Sequence, residues 1–364
     1  MSGAGSDSQP EARPIFEFLT AALADRDADG FVHVARGDDP TLRYLSQRPG
    51  DEWDPLARTC AFVFVDGQAW LCRPEGTRSA VADEISVRTF PHRQHAGECA
   101  AELLAADAES VLVPPHLPHD AALYLEQAGV DLASTRAVAT ARARKTPAEV
   151  DRLRAAQRAA VAGIERAGEL LAASDAPSAT RLRREIDTTL AKQGVSDAGN
   201  TRIEGEIRSG GPVHVALAPR GPGGYHAALG RTFAVDNEGG WERRAHVAVT
   251  SARRVALAEL EPGAETGWIR EETIAELGSF GFTVGASDGA VCPDVGGGIG
   301  LARAEAPSFR RDAELEPGHV VRIAPGVRHE THGTVRTVDV ARVTQDGAEW
   351  LVDAPTSLAP TAYE

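Results

Sequence analysis

The stretch of this 364-residue chain that most restricts its folding is Thr146-Pro147-Ala148-Glu149. Thr146 is a natural helix N-cap, Pro147 suits the first helical position, and Glu149 stands where its carboxylate closes a capping box. Val150, Leu153, Ala160, Ile164, Ala167 and Leu171 then recur at helical spacing. A long amphipathic helix therefore begins at a fixed point and opens a second domain. The division expected is a lead-in over 1–13, an N-terminal domain over 14–140 and a C-terminal domain over 141–364.

Ahead of that helix the patterns alternate between helix and strand. Ile15, Phe18, Leu19, Ala22 and Leu23 share one face of a helix over 15–28. GFVHVA (30–35) reads as a strand. CAFVFVDGQAWLCRP (60–74) reads as a hairpin turning at Asp66-Gly67, and SVLVPP (110–115) as another strand. Such a mixture implies an α/β domain with a mixed sheet. The opening MSGAGSDSQPEARP has neither a basic stretch nor an apolar core, so it reads as a disordered lead-in rather than a signal peptide.

Beyond residue 171 a second helix is expected over 179–192, stopping before Gly194. Strands follow at 212–219 and 225–235, then helices at about 241–260 and 268–277. The segment 281–352 is strand-rich, with VVRIAPGV and TVRTVDVARVT as its clearest runs.

Charge excludes one broad class of function. The formal net charge is −15, which disfavours nucleic acid as a partner because phosphate binding needs a basic surface. Lysine occurs only at Lys145 and Lys192. An acidic, lysine-poor composition suits a high-salt cytoplasm, although a GC-rich genome that prefers Arg, Ala and Gly codons gives the same pattern. No run approaches the ~20 apolar residues of a membrane span, so a cytoplasmic location is expected. Cys60, Cys72, Cys99 and Cys292 form no CxxC pair and are expected reduced and buried, with a Cys60–Cys72 contact across neighbouring strands open.

The second domain carries an ordered set of motifs. They are GGYHAALGRTF (223–233), GGGIGLARAEAP (296–307), HVVRIAPGV (319–327) and GTVRTVDVARVTQDGAEWL (333–351). In this order they resemble the pita-bread family of Xaa-Pro aminopeptidases, prolidases, methionine aminopeptidases and creatinase. KTPAEVDRLRAA resembles that family's opening helix, and the first domain resembles its N-terminal domain. The resemblance implies an α/β (α+β) fold, a creatinase-like N-terminal α/β domain followed by a pita-bread domain. It also implies a homodimer, or pairing with an active relative.

Metal-dependent members hold two divalent ions with two Asp, one His and two Glu, and a metal-bound water serves as nucleophile. Carried over position by position, those ligands fall on Ala216, Ala228, Gly297, Ala324 and Val338. Neighbours anchor the last four: Arg231-Thr232, Gly298-Ile299-Gly300, Pro325-Gly326, and Arg336 with Asp339. Of two further histidines the family uses, one falls on Ala304. The other should precede the first metal strand, where NTRIEGEIRSGGP contains no His; His214 is too close to Ala216 to match it. No cofactor is therefore expected.

A few residues remain as candidates for other chemistry. His226 can contact a ligand or act as a base near neutral pH, or else pack on the other sheet face. Glu305 can serve as a general base, though a single carboxylate is a thin mechanism. Tyr225, His226, Glu305, Arg336 and Asp339 are expected near the cavity, with Arg336 and Asp339 paired. His329-Glu330-Thr331-His332 offers two loop histidines for a weak metal contact. The expectation is a non-catalytic, ligand- or partner-binding member of the family. The alternatives are a metal-free hydrolase of a small amide or amidine, and an aminopeptidase with relocated ligands.

Overall fold

The computed structural model describes residues 16–46, 56–77, 81–104, 108–173, 175, 177–196, 199, 201–207, 210–236, 239–286 and 289–363. The lead-in expected over 1–13, and Ile15, lie outside the described residues. The chain divides into two compact units, with the change falling between Ala141 and Arg142.

The N-terminal unit contains α1 (Glu17–Arg26), β1 (Gly30–Gly37), α2 (Pro40–Leu45), β2 (Leu56–Val65), β3 (Gln68–Pro74), β4 (Ile85–Phe90), α3 (Ala96–Ala101), β5 (Ser110–Val113), α4 (His119–Gln127), β6 (Asp131–Ser134) and the start of α5 (Ala137–Ala143). Its sheet runs β4-β3-β2-β1-β5-β6. β1, β2 and β3 are antiparallel, while β4, β5 and β6 join in parallel, so the sheet is mixed. Asp66 and Gly67 both have positive φ, 51° and 71°, which is the hairpin geometry that an Asp-Gly pair permits. One sheet face packs under Ala96, Cys99, Ala121 and Leu125 of α3 and α4. The other packs under Leu19, Leu42, Leu45 and Val138.

The cysteines follow this layering. Ala61 pairs with Cys72 across β2 and β3, which turns Cys60 and Cys72 to opposite faces. The contact left open from the sequence is replaced by one between the Cys72 and Cys99 thiols. All four cysteines are free thiols.

The C-terminal unit begins with α6 (Pro147–Ala172) and α7 (Ala179–Lys192). The capping box at Thr146 forms: Thr146 N donates to Glu149 Oε2 at 2.8 Å, and Glu149 N donates to Thr146 Oγ1 at 3.3 Å. β7 (Arg202–Glu204), β8 (Pro212–Leu217) and β9 (Leu229–Ala234) make one sheet. Val213, Val215, Leu217, Leu229 and Phe233 bury one of its faces against Ile164, Ala167, Leu182 and Ile186 of the two helices.

α8 (Trp241–Ala258) and α9 (Thr266–Ser279) back the remaining sheets. These use β10 (Ala290–Val291), β11 (Gly296–Gly298), β12 (Glu305–Ser308), β13 (Val320–Ile323), β14 (Gly326–His329), β15 (Gly333–Arg336), β16 (Asp339–Val343) and β17 (Ala348–Trp350). Their orders are β10-β14-β15 and β12-β11-β13-β16-β17. Val321, Ile323, Ala341 and Val343 bury one face of the larger sheet with Ala256 and Ile269. No described helix is long and apolar enough to cross a membrane.

Candidate functional site

The backbone ladder of the C-terminal unit brings Ala216 and the four anchored positions near one another. Ala216 pairs with Gly230 across β8 and β9. Gly230 and Val338 then exchange both backbone hydrogen bonds. Ile323 pairs with Asp339, which sets Ala324 beside Val338. Ala324 N donates to Val295 O at 2.7 Å, and Gly297 pairs with Arg322. Ala228 lies on β9's approach, two residues from Gly230, with its backbone N–H and C=O both bonded to the Gln157 side chain.

Strand alternation decides which way these side chains point. Val213, Val215 and Leu217 face the α6–α7 core, so His214 and Ala216 face away from it. Ala227, Leu229 and Phe233 face the same core, so His226, Ala228, Gly230 and Thr232 share the face turned away from it with His214 and Ala216. Val321, Ile323, Ala341 and Val343 are in the second core, which leaves Ala324 and Val338 on the opposite side. His226 therefore shares a face with Ala228 and does not pack on the other sheet face.

Around Gly230 this face is closely packed. A Cβ added to Gly230 would come within 2.8 Å of Val338 Cγ2 and 3.1 Å of His214 Cε1. His214 is wholly buried, and burial together with the Arg336 charge pulls its pKa down to about 3, so it is neutral at physiological pH. Its Nδ1 lies 3.4 Å from Thr232 Oγ1, which also bonds to both backbone groups of Arg336. The sequence holds a signal for this placement: His214 is two residues from Ala216 on an alternating strand.

The other candidate residues are fixed by neighbours. Glu305 is only 6% exposed at its side chain, and it pairs with Lys145 Nζ at 3.0 Å and with Arg142. Ala302 N also donates to it, at 2.7 Å. Burial raises the Glu305 pKa, but Lys145, Arg142 and the Ala302 N–H outweigh burial and hold the carboxyl below the usual range. A carboxylate held ionised by two cations is a poor general base. A Cβ on Gly300 would meet Glu305 Oε2 at 2.6 Å and Lys145 Nζ at 2.9 Å, so those side-chain ends would have to shift.

Tyr225 is turned to the opening helix, where its hydroxyl donates to Glu149 Oε1 at 2.6 Å. His226 N donates to Gly300 O at 2.8 Å, and its ring Nδ1 lies 3.4 Å from Ala218 O. Burial, with Arg220 and Arg303 nearby, lowers its pKa, so His226 is neutral near pH 7.

The expected Arg336–Asp339 pair does not form. Residues three apart on an extended chain point to opposite sides. Asp339 instead accepts from Arg231 Nη2 at 2.8 Å and Arg253 Nε at 2.6 Å, wholly inside the unit. Arg336 donates to Ala324 O and Asp294 O, and lies 3.6 Å from the Asp294 carboxylate. Asp294 also takes Arg322 Nη2 at 3.0 Å on each oxygen. Sequence reading singled out neither Asp294 nor Arg322.

The loop histidines are occupied too. His329 Nδ1 accepts from Thr331 N and His332 N, and His332 stacks on Trp241 with its Nδ1 3.3 Å from Glu242. Glu330 completes no cluster of three metal donors with them among the described residues.

Comparison with known proteins gives the family and the fold. Residues 151–345 match the model of metallopeptidase family M24. The chain belongs to metallopeptidase family M24. Two Bacillus subtilis proteins are 30% identical to it: the uncharacterized peptidase YqhT over 140 residues and the putative dipeptidase YkvY over 138. Each match covers 37% of this chain, but only 37% and 36% of those relatives' own length. Among solved structures, prolidase from Pyrococcus horikoshii OT3 superposes with TM-score 0.79 at 17% identity, over 95% of this chain and 100% of the other. The Xaa-Pro dipeptidase from Bacillus anthracis gives 0.78 at 20% identity, over 94% and 98%. The mixed α/β fold is thus that of the prolidase-type M24 proteins.

Family M24 normally uses divalent metals. A divalent cation needs oxygen, nitrogen or sulfur donors at about 2.0–2.2 Å. Ala216, Ala228, Ala324 and Val338 offer methyl groups, and Gly297 offers no side chain. Asp294 is held by Arg322 and Arg336, and Asp339 by Arg231 and Arg253. The residues present at these positions do not fit a two-metal centre.

Proposed function

We propose that this M24 protein has no metallopeptidase activity and that its C-terminal unit binds a small neutral ligand, a peptide or a partner protein on the face described. The observation that carries this reading is the donor set: five adjoining positions with no side chain able to hold a metal. The persistence of the framework around them supports a retained fold. Gly230, Gly297, Gly300 and Gly326 all stand where an added side chain would strain the backbone or crowd a neighbour. Methyl-lined surface favours an apolar or uncharged occupant over a charged one.

Equilibrium dialysis of manganese and cobalt against the chain tests this. The C-terminal unit should retain neither metal. Two tightly held ions per chain, unaffected by changes in the N-terminal unit, would contradict it.

A second reading rests on His226, which shares this face, is half-buried and is neutral near pH 7, the state a base requires. It would make the protein a metal-free hydrolase of a small amide or amidine. A His226→Ala variant should then abolish hydrolysis measured in chelator; unchanged turnover would remove His226 from the chemistry.

A further inference from the structure

The N-terminal unit holds a cluster of donors unrelated to the five positions above. His33 lies inside β1, Asp39 caps α2, and His116 follows β5 in the turn Pro114-Pro115-His116. β1 and β5 are parallel neighbours, with Phe31 opposite Leu112, so the chain leaving β5 runs beside His33. We propose that His33, Asp39 and His116 form a binding site for a divalent transition-metal cation of the zinc type.

Each side chain offers one donor atom, and the three atoms lie within 4.8 Å of one another. Ligands at about 2.0–2.2 Å from a tetrahedral zinc stand about 3.4 Å apart, so small side-chain rotations close the site. His33 Nε2 and Asp39 Oδ1 are already 2.9 Å apart. His116 is exposed and can make the remaining movement, its ring meeting that of His33 edge-on at 5.8 Å between centroids.

The chemistry of the donors suits such a cation. Two imidazoles and one carboxylate make a common zinc ligand set, and the exposed side leaves room for a water as the fourth ligand. Asp39 is fixed in place because its Oδ1 also accepts from Leu42 N at 2.8 Å. His33 is fully buried, so the sheet holds its ring. Its Nδ1 has no hydrogen-bond partner among the described residues, and with Nε2 on the metal the ring proton would sit on that nitrogen. Anchoring of α2 by the His33–Asp39 pair alone would leave the third donor unexplained.

The test is calorimetric titration of zinc into the full chain and three variants. His116→Ala alters an exposed turn. Asp39→Asn keeps a good N-cap while removing the anionic donor. His332→Ala removes the rival loop histidine, and thermal melting verifies that each variant is folded. The proposal expects one zinc per chain, retained in His332→Ala and weakened at least about tenfold in both His116→Ala and Asp39→Asn. Absence of one-to-one binding, binding that survives both ligand changes, or binding lost in His332→Ala would each overturn it. None of these outcomes depends on whether the C-terminal unit is catalytic.

Discussion

Gly230 and Val338 exchange two backbone hydrogen bonds of 3.0 Å, and the Val338 side chain lies over the spot where a Gly230 Cβ would sit. This bridge joins the β7–β8–β9 sheet to the strand that carries Asp339. A Gly230→Ala change should destabilise the protein by about 1–3 kcal/mol through overpacking. Adding Val338→Ala should recover part of that loss, because the clashing methyl is gone. Equilibrium denaturation of the two single variants and the double variant measures the coupling, and additive effects would show that the bridge is loosely packed.

Glu305 is enclosed with Lys145 and Arg142. Glu305→Ala would leave a buried ammonium without its anion, and a loss of about 3–5 kcal/mol is expected. Glu305→Gln should also destabilise, since it removes the charge but retains the shape. If either variant kept full stability in denaturant melts, the ion cluster would be decorative.

Asp339 makes an analogous prediction by a separate route. It is 2% exposed at its side chain and pairs with both Arg231 and Arg253. Asp339→Asn should cost about 3–5 kcal/mol. Arg336→Ala, by contrast, should shift stability less, because Arg336 is partly exposed and its Asp294 partner retains Arg322.

Four histidines tie stability to pH with one sign. His214, His226, His246 and His319 all have pKa values lowered mainly by burial, His214 to about 3 and His319 to about 4. Below pH 6.5 the unfolded chain takes up more protons at these sites than the folded chain does. Stability therefore falls as pH drops from about 6.5 toward 5, before most carboxylates titrate. Each such histidine contributes up to about 1.4 kcal/mol per pH unit. A His214→Asn variant should show a shallower slope in this window, and an unchanged slope would place the His214 ring in contact with solvent. Glu305, whose pKa is lowered, adds stability that is lost only at lower pH.

The parts of the fold legible in the sequence are those that local chemistry dictates. α6 was legible because cap, proline and apolar spacing agree, and the β2–β3 hairpin because Asp66-Gly67 tolerates positive φ. β11 was not legible as a strand, since Gly296-Gly297-Gly298 has no strand preference and is held by pairing with β13. α3 was missed because six residues opening on a His95 cap give too short a pattern.

Within the site, flanking motifs placed Ala228, Gly297, Ala324 and Val338, and sheet register sets them together. The partners of Arg336 and Asp339 depend on which way an extended strand turns each side chain, and sequence proximity misled there. The His33–Asp39–His116 cluster depends on the β1–β5 pairing, which links segments far apart in the chain.

The central claim is tested most directly by assaying an Xaa-Pro dipeptide with the His116→Ala chain in the presence of manganese or cobalt. That variant removes the proposed zinc site, so any metal-dependent activity must come from the C-terminal unit. The account predicts no turnover above the protein-free blank with either metal. Turnover that requires the metal and disappears with chelator would contradict it.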